Sequence, residues 1–266
     1  MSNLLDGKHV VVFGAGGSVG SAVAKEFAVE GAEVFLAGRT KANIETVAKQ
    51  ITASGGRAHA QVVDALDDAA VNSYMDGIVK QSGSIDAVFN AVGPLASDYA
   101  NGQHAVNLAI EQFMVPLMTV LKSQFISARA AARHMMKQRS GVIIFLTGSP
   151  ARGHVEGATA IGTAFGAVET LAENLALEVG RAGVRAVCLR TTANLDTRTI
   201  QETLDGMASM TGGTKDQMVT RMASLNFLKA AATTADTAKL AAFLASDRAR
   251  LMTGTVVNSS AGAALD

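Results

Sequence analysis

Phe13-Gly14-Ala15-Gly16-Gly17-Ser18-Val19-Gly20 joins an apolar run, His9-Val10-Val11-Val12-Phe13, to a segment of helical period from Ser18 to Glu30. Glycines without Cβ atoms let such a turn approach a phosphate closely and let the helix pack tightly on the strand. The free amides and the dipole of a helix N-terminus favour an anion there. Gly14, Gly16, Gly17, Ser18, Val19 and Gly20 are therefore the candidate residues of a dinucleotide pyrophosphate site. After the next apolar run, Glu33-Val34-Phe35-Leu36-Ala37, the acid that would bind the ribose diol of NAD is missing, and Gly38-Arg39-Thr40 stands there. A guanidinium pairs with a 2′-phosphate that a carboxylate would repel, so Arg39 and Thr40 point to NADP(H) rather than NAD(H). Asp64-Ala65, after the third apolar run, is placed to accept from the adenine amino group.

These residues need a frame that alternates strands with helices. Apolar runs at 9–13, 33–37, 58–63, 85–90, 142–146, 184–189 and 254–258 read as strands. The intervening segments 18–30, 42–53, 67–81, 111–137, 159–182 and 236–244 have helical period. Such alternation predicts βαβ units, hence an α/β fold of three layers: a Rossmann-type, doubly wound parallel sheet between two sets of helices. One domain over 1–266 is expected. The helix predicted over Glu111–Lys137 carries Val120, Phe125, Ala128, Ala132 and Met135, a stripe broad enough to suggest contact with another subunit. The segment Thr191–Ala230, rich in Met, Thr and Gly, breaks the rhythm and is expected to form a lobe over a site.

Composition narrows the partners. Lys plus Arg and Asp plus Glu are both 23, so no long-range field recruits nucleic acid or an anionic membrane. Partners are expected to be a small-molecule substrate and copies of the chain. The first residues lack the basic and apolar regions of a signal peptide, and no apolar run approaches the ~18 residues of a membrane span, which predicts a cytoplasmic location. The single Cys188 lies in an apolar run and reads as a buried, inert thiol. No metal site is predicted.

Taken in order, the markers resemble the short-chain dehydrogenase/reductase family over nearly the whole chain. Gly14 to Gly20 is similar to its Thr-Gly-x-x-x-Gly-x-Gly turn, with Phe13 in place of the Thr and Ser18 of the middle Gly. Asp64 matches its adenine-contacting Asp. Asn90-Ala91-Val92-Gly93 resembles its Asn-Asn-Ala-Gly marker, which adds Asn90, Ala91 and Gly93 to the cofactor site. Leu175-Ala176-Leu177-Glu178 and Met252-Thr253-Gly254 resemble later markers. The resemblance implies a homodimer or homotetramer.

It also implies a Ser, Tyr and Lys that handle the proton of a carbonyl or alcohol, and these are missing. Their places fall on Gly148, Ile161 and Phe165; the family's Asn falls on Val120 and its Pro-Gly on Thr191-Thr192. A tyrosine needs a neighbouring cation to exchange protons readily at neutral pH, and neither Ile161 nor Phe165 supplies one. The only tyrosines, Tyr74 and Tyr99, stand far from Ile161 in sequence. Ser149 and His154 are the remaining catalytic candidates, with Thr147, Thr163 and Arg152 nearby. The expected activity is a divergent NADP(H)-dependent oxidoreductase acting on a carbonyl or a conjugated enone or enoyl compound. The alternatives are a non-catalytic dinucleotide-binding homologue with a regulatory or structural role, and a non-redox lyase or isomerase.

Overall fold

The computed structural model describes residues 3–153 and 155–266. Chain order runs β1 (His9–Phe13), α1 (Ser18–Val29), β2 (Glu33–Gly38), α2 (Lys41–Ala53), β3 (Arg57–Val62), α3 (Asp68–Ser82) and β4 (Ala87–Asn90). It continues through α4 (Ile110–Pro116), α5 (Lys122–Gln138), β5 (Gly141–Gly148), α6 (Thr159–Val179) and β6 (Val184–Thr191). Helices α7 (Arg198–Thr211), α8 (Lys215–Leu225) and α9 (Thr234–Ala245) precede β7 (Thr255–Ser259).

The strands form one parallel sheet in the order β3-β2-β1-β4-β5-β6-β7. Val10 lies beside Val34 of β2 on one side and Ala87 of β4 on the other, so the order reverses between β1 and β4. That reversal opens a crevice at the carboxyl ends of the strands. Alternate strand residues serve opposite faces. Val11, Phe13, Phe35, Val88, Ile143 and Phe145 pack with α3, α5 and α6. Val10, Val12, Leu36, Phe89, Ile144 and Leu189 pack with α1, α2 and α9. Both faces are covered, as the unbroken apolar runs required, and each large side chain so buried contributes about 1.5–3 kcal/mol. Edge strand β3 is the exception: its residues are largely exposed, and His59 stacks on Phe35 at a centroid distance of 4.9 Å.

The helix expected over 111–137 is not regular. Pro116 lacks an amide hydrogen and cannot close the α-helical ladder, and a π-helical turn, Leu117–Leu121, follows it before α5 resumes. The apolar stripe also needs correction. Val120, Ala128, Ala132 and Met135 are buried within the chain, and of the five residues only Phe125 is exposed, with the Arg129 guanidinium 5.2 Å over its ring. The apolar side chains that do face outward are Ile110, Met114 and Met118, with Phe125 and Met136 beyond them.

One pair of charges lies inside the apolar layer. Arg190 on β6 is 1% exposed and holds Glu169 of α6, 2% exposed, in a two-pronged pair at 2.7 and 2.8 Å. Thr147 donates to the same carboxylate at 3.1 Å, Arg152 approaches it at 3.6 Å, and Arg190 also reaches Asp266. The Arg190 guanidinium lowers the Asp266 carboxyl below the usual aspartate range. Removing one member of a buried pair leaves the other desolvated, at a cost of about 3–5 kcal/mol. Glu169→Gln is accordingly expected to lower unfolding stability by about 3 kcal/mol in urea melts, whereas a loss near that of a surface pair, below about 1 kcal/mol, would show the pair to be dispensable.

Candidate functional site

The glycine turn closes the crevice between β1 and β4. Gly14 has a φ of +70°, and a Cβ there would lie 2.9 Å from the carbonyl carbon of Ala91. A Cβ on Gly20 would fall 2.3 Å from the Gly14 carbonyl oxygen, so only glycine lets α1 sit this close beneath the turn. A Cβ on Gly16 would meet the Asn43 Cβ at 2.8 Å, which packs the turn against the first residues of α2. The N-terminus of α1 has no side-chain cap and no acidic residue in its first turn. Shape and dipole together make a cradle suited to a pyrophosphate, which is the fit that a nicotinamide dinucleotide demands there.

The other expected contacts surround this cradle. Arg39 and Thr40 are exposed at the carboxyl end of β2, and Thr40 is the N-cap of α2, whose first turn holds no acid and carries Lys41. Asp64 is exposed and accepts from the Leu66 amide at 3.0 Å, while Ala65 is buried behind it. Asn90 is 3% exposed; its amide donates to Ser127 Oγ at 2.9 Å and its carbonyl accepts from the Val92 amide at 2.9 Å. Its side chain thus fixes the end of β4 against α5 and leaves the Ala91 backbone to border the crevice. A Cβ on Gly93 would meet nothing within 4 Å, so no steric demand for glycine exists there.

Ser18 links the turn to the segment that broke the sequence rhythm. The Arg198 amide, first in α7, donates to Ser18 Oγ at 3.5 Å. Asp196 then fastens the segment to α9, accepting from the Thr234 amide at 2.8 Å and its hydroxyl at 2.5 Å. The Thr191 hydroxyl meets Thr237 at 3.1 Å and donates to Asn194 at 3.3 Å. These hydroxyls anchor the lobe and are committed.

On the other side of the crevice, the places expected for Ser, Tyr and Lys are filled by packing. A Cβ on Gly148 would lie 3.0 Å from Cε2 of Phe165, so the ring crowds the space a serine side chain would take. Ile161 is 7% exposed, and Val120 lies buried in the π turn. Thr147 donates to Glu169, and Thr163 donates back to the Thr159 carbonyl at 2.8 Å on the exposed face of α6. Ser149 is buried with no side-chain hydrogen bond among the described residues, and His154 lies outside them. Cys188 is buried beside Thr147, and burial pushes its thiol up to about 12, as an inert thiol requires. Sequence reasoning missed Asn43, Glu169 and Arg190; the last two were signalled only by charges set inside apolar stretches.

The contact between Gly148 and Phe165 makes a quantitative expectation. Gly148→Ser alone is expected to cost about 1–3 kcal/mol by overpacking against the ring. In the Phe165→Ala background the same substitution should cost markedly less; equal costs in both backgrounds, read by a double-mutant cycle in urea, would show that the ring does not guard this space.

Comparison with known proteins agrees with this geometry. A family model described as enoyl-(acyl carrier protein) reductase, adh_short_C2, matches residues 14–264. A short-chain reductase, NovJ, of Streptomyces niveus is 27% identical over 254 residues, covering 95% of this chain and 92% of its own. A probable 2,4-dienoyl-CoA reductase of Bacillus subtilis is 29% identical over 270 residues, covering 97% of each chain. Among solved structures, an actinorhodin polyketide ketoreductase variant with NADPH superposes with a TM-score of 0.87 at 18% identity, over 96% of this chain and 97% of that one, a likeness of fold. From its glycine turn to its last strand, the chain belongs to the short-chain dehydrogenase/reductase family of NAD(P)-dependent oxidoreductases.

Proposed function

We propose that the chain is an NADP(H)-dependent reductase of a carbonyl or conjugated enone or enoyl compound that works without the Ser-Tyr-Lys set. The observation that carries the cofactor choice is the end of β2: Arg39 and Thr40 stand exposed beside the glycine cradle, with Lys41 following and no acid in the first turn of α2. A 2′-phosphate gains a charged partner and the positive end of a helix there, whereas a bare ribose diol finds no carboxylate to accept its hydrogen bonds.

In this reading the turn Gly14, Gly16, Gly17, Ser18, Val19 and Gly20 holds the pyrophosphate through its backbone. Asp64 and Ala65 border the adenine, and Asn90, Ala91 and Gly93 border the nicotinamide side. When bound, the dinucleotide supplies hydride. Everything else falls to the chain: α7, whose first amide meets Ser18 Oγ, borders the crevice on that side, and Ile161 and Phe165 would keep the substrate side dry. A dry site strengthens any hydrogen bond given to a developing oxyanion, and this favours substrates whose negative charge settles on oxygen. Ser149 is the hydroxyl at the end of β5 free to give one. The family's usual self-association would use the outward apolar residues Ile110, Met114, Met118 and Phe125, giving a homodimer or homotetramer.

A second reading, a dinucleotide-binding homologue without turnover, is favoured by one observation, the Phe165 ring standing in the space of the missing serine. Two measurements separate the readings. NADPH is expected to raise the melting temperature more than NADH, and Arg39→Ala to weaken NADPH about tenfold or more while barely changing NADH. Equal weakening of both nucleotides would remove the 2′-phosphate assignment. NADPH absorbance is then followed with ketones, enones and enoyl thioesters: consumption supports the reductase, and binding without consumption supports the second reading.

A further inference from the structure

The Arg190 guanidinium is answered from two sides of unlike character. Its Nε and one Nη belong to Glu169 inside the apolar layer, and the other Nη meets Asp266, whose side chain is 55% exposed. A buried guanidinium needs every prong satisfied, and here the last is satisfied by a carboxylate that water already reaches. With Arg152, Glu173, Thr255, Val256 and Leu265, Asp266 lines a cavity of about 440 Å³ that opens onto Arg190. The Asn258 amide donates to the same Asp266 carboxylate at 3.2 Å. Arg152 is exposed and touches only the far oxygen of Glu169, at 3.6 Å, so its guanidinium can turn to another anion without breaking a close pair.

Asp266 belongs to segment 260–266, which follows β7 and folds back on it. The Asn258 amide also donates to the Ala264 carbonyl at 2.8 Å, and the Ser260 hydroxyl donates to that carbonyl at 3.2 Å. The segment starts at the carboxyl edge of the sheet, where Gly148, Thr191 and Ser259 lie side by side at the ends of β5, β6 and β7. There it meets two loops. The Ala263 carbonyl would lie 3.2 Å from a Cβ on Gly153, whose own amide donates to the Ser149 carbonyl at 2.6 Å. The Ala261 carbonyl accepts from the Leu228 amide at 3.1 Å, and a Cβ on Gly262 would fall 2.6 Å from Cβ of Phe227, just after α8. One short segment therefore ties the Ser149 loop and the Phe227-Leu228 turn to Arg190, and its outermost fastening is the Asp266 carboxylate.

We propose that this cavity is a binding site for a small monocarboxylate, that Asp266 occupies it as a latch, and that a bound carboxylate loosens segment 260–266 from the Ser149 loop and the Phe227-Leu228 turn. The charges set the ligand class. With Asp266 turned outward, Arg152 and Arg190 face Glu169 and Glu173 and balance them, so one carboxylate restores the present count, whereas a dianion would be opposed by Glu173. The ligand's carboxylate takes the Arg190 prong and the Asn258 amide that Asp266 now holds, with Arg152 turning onto it, and Val256 offers an apolar wall to a short alkyl group. Because the latch is part of the chain, it lowers the apparent affinity of the ligand by the fraction of time Asp266 stands away, and removing it raises that affinity. The site lies off the dinucleotide cradle and does not depend on which cofactor binds or on turnover.

The test titrates sodium butyrate into wild type, Asp266→Ala and Asp266→Asn and follows the melting temperature, with sodium chloride at equal ionic strength and butan-1-ol as controls. Asp266→Ala is expected to melt below wild type and to be raised by butyrate at about tenfold lower concentration than wild type requires, the controls leaving it unchanged. Asp266→Asn, which keeps the size of the side chain, should show the same gain if the alanine variant does not fold. Adding Arg152→Ala to the Asp266 variant should weaken the butyrate effect about fivefold or more. In wild type saturated with butyrate, the amides of Leu228, Ala263 and Ala264 should exchange with solvent faster while those of α6 do not. Equal butyrate requirements in wild type and the Asp266 variants, or a rise matched by chloride, overturn the site. A butyrate-specific rise without faster exchange at those three amides overturns the latch.

Discussion

The carboxyl end of this sheet depends on how closely the backbone of Gly14 lies against Ala91. The two residues directly follow adjacent strands, β1 and β4, at the point where strand order reverses, and at Gly14 there is no room for even a methyl group between them. Gly20 must in turn come under the Gly14 carbonyl, and so α1 enters the sheet at one height and angle. The N-terminus of α1 then faces the crevice with uncapped amides, and Gly16 rests on Asn43 at the start of α2, which brings Arg39 to the same rim. Backbone contact sets each of these positions, so the cradle is insensitive to most side-chain changes around it.

The substrate half is built by the opposite means. There the wall consists of side chains, Ile161 and Phe165 above, with Glu169 one helical turn farther along α6. Arg190 is the one buried cation among the described residues, and Glu169 and Asp266 use its guanidinium on two sides. A lysine at 165 would have stood within reach of a tyrosine at 161; here the charge has withdrawn to a depth where it is neutralised pairwise. Such a pair gains little over an apolar packing of the same volume, and its effect lies in specificity, because an unpaired Arg190 in that layer would be far costlier than a shifted helix.

The sheet, its helices and the cradle were legible in the sequence because the signals are local. Seven apolar runs and a glycine turn fall between residues close together in the chain, and period and steric need identify them. The π turn after Pro116 was not legible, since it is a single widened turn within helical backbone and no residue type of its own marks it. Neither was the fate of the stripe from Val120 to Met135, because four of its five residues are satisfied by helices and strands distant in sequence. Glu169 and Arg190 belong to a helix and a strand 21 residues apart, and only the register of α6 on β6 brings them together.

The division between a backbone-built half and a side-chain-built half explains how so much of the usual chemistry is lost while the cofactor cradle stays whole. The Gly148 and Phe165 positions are sterically coupled: a Cβ at 148 would press on the ring at 165, which would have to give by a few tenths of an ångström. A change at either place favours the matching change at the other, because a void costs roughly what a methylene-sized overlap does. The losses at 148 and 165 are thus one packing solution rather than two independent events. No such coupling reaches across the crevice to the cradle, whose core residues pack on the other face of the sheet with α1, α2 and α9.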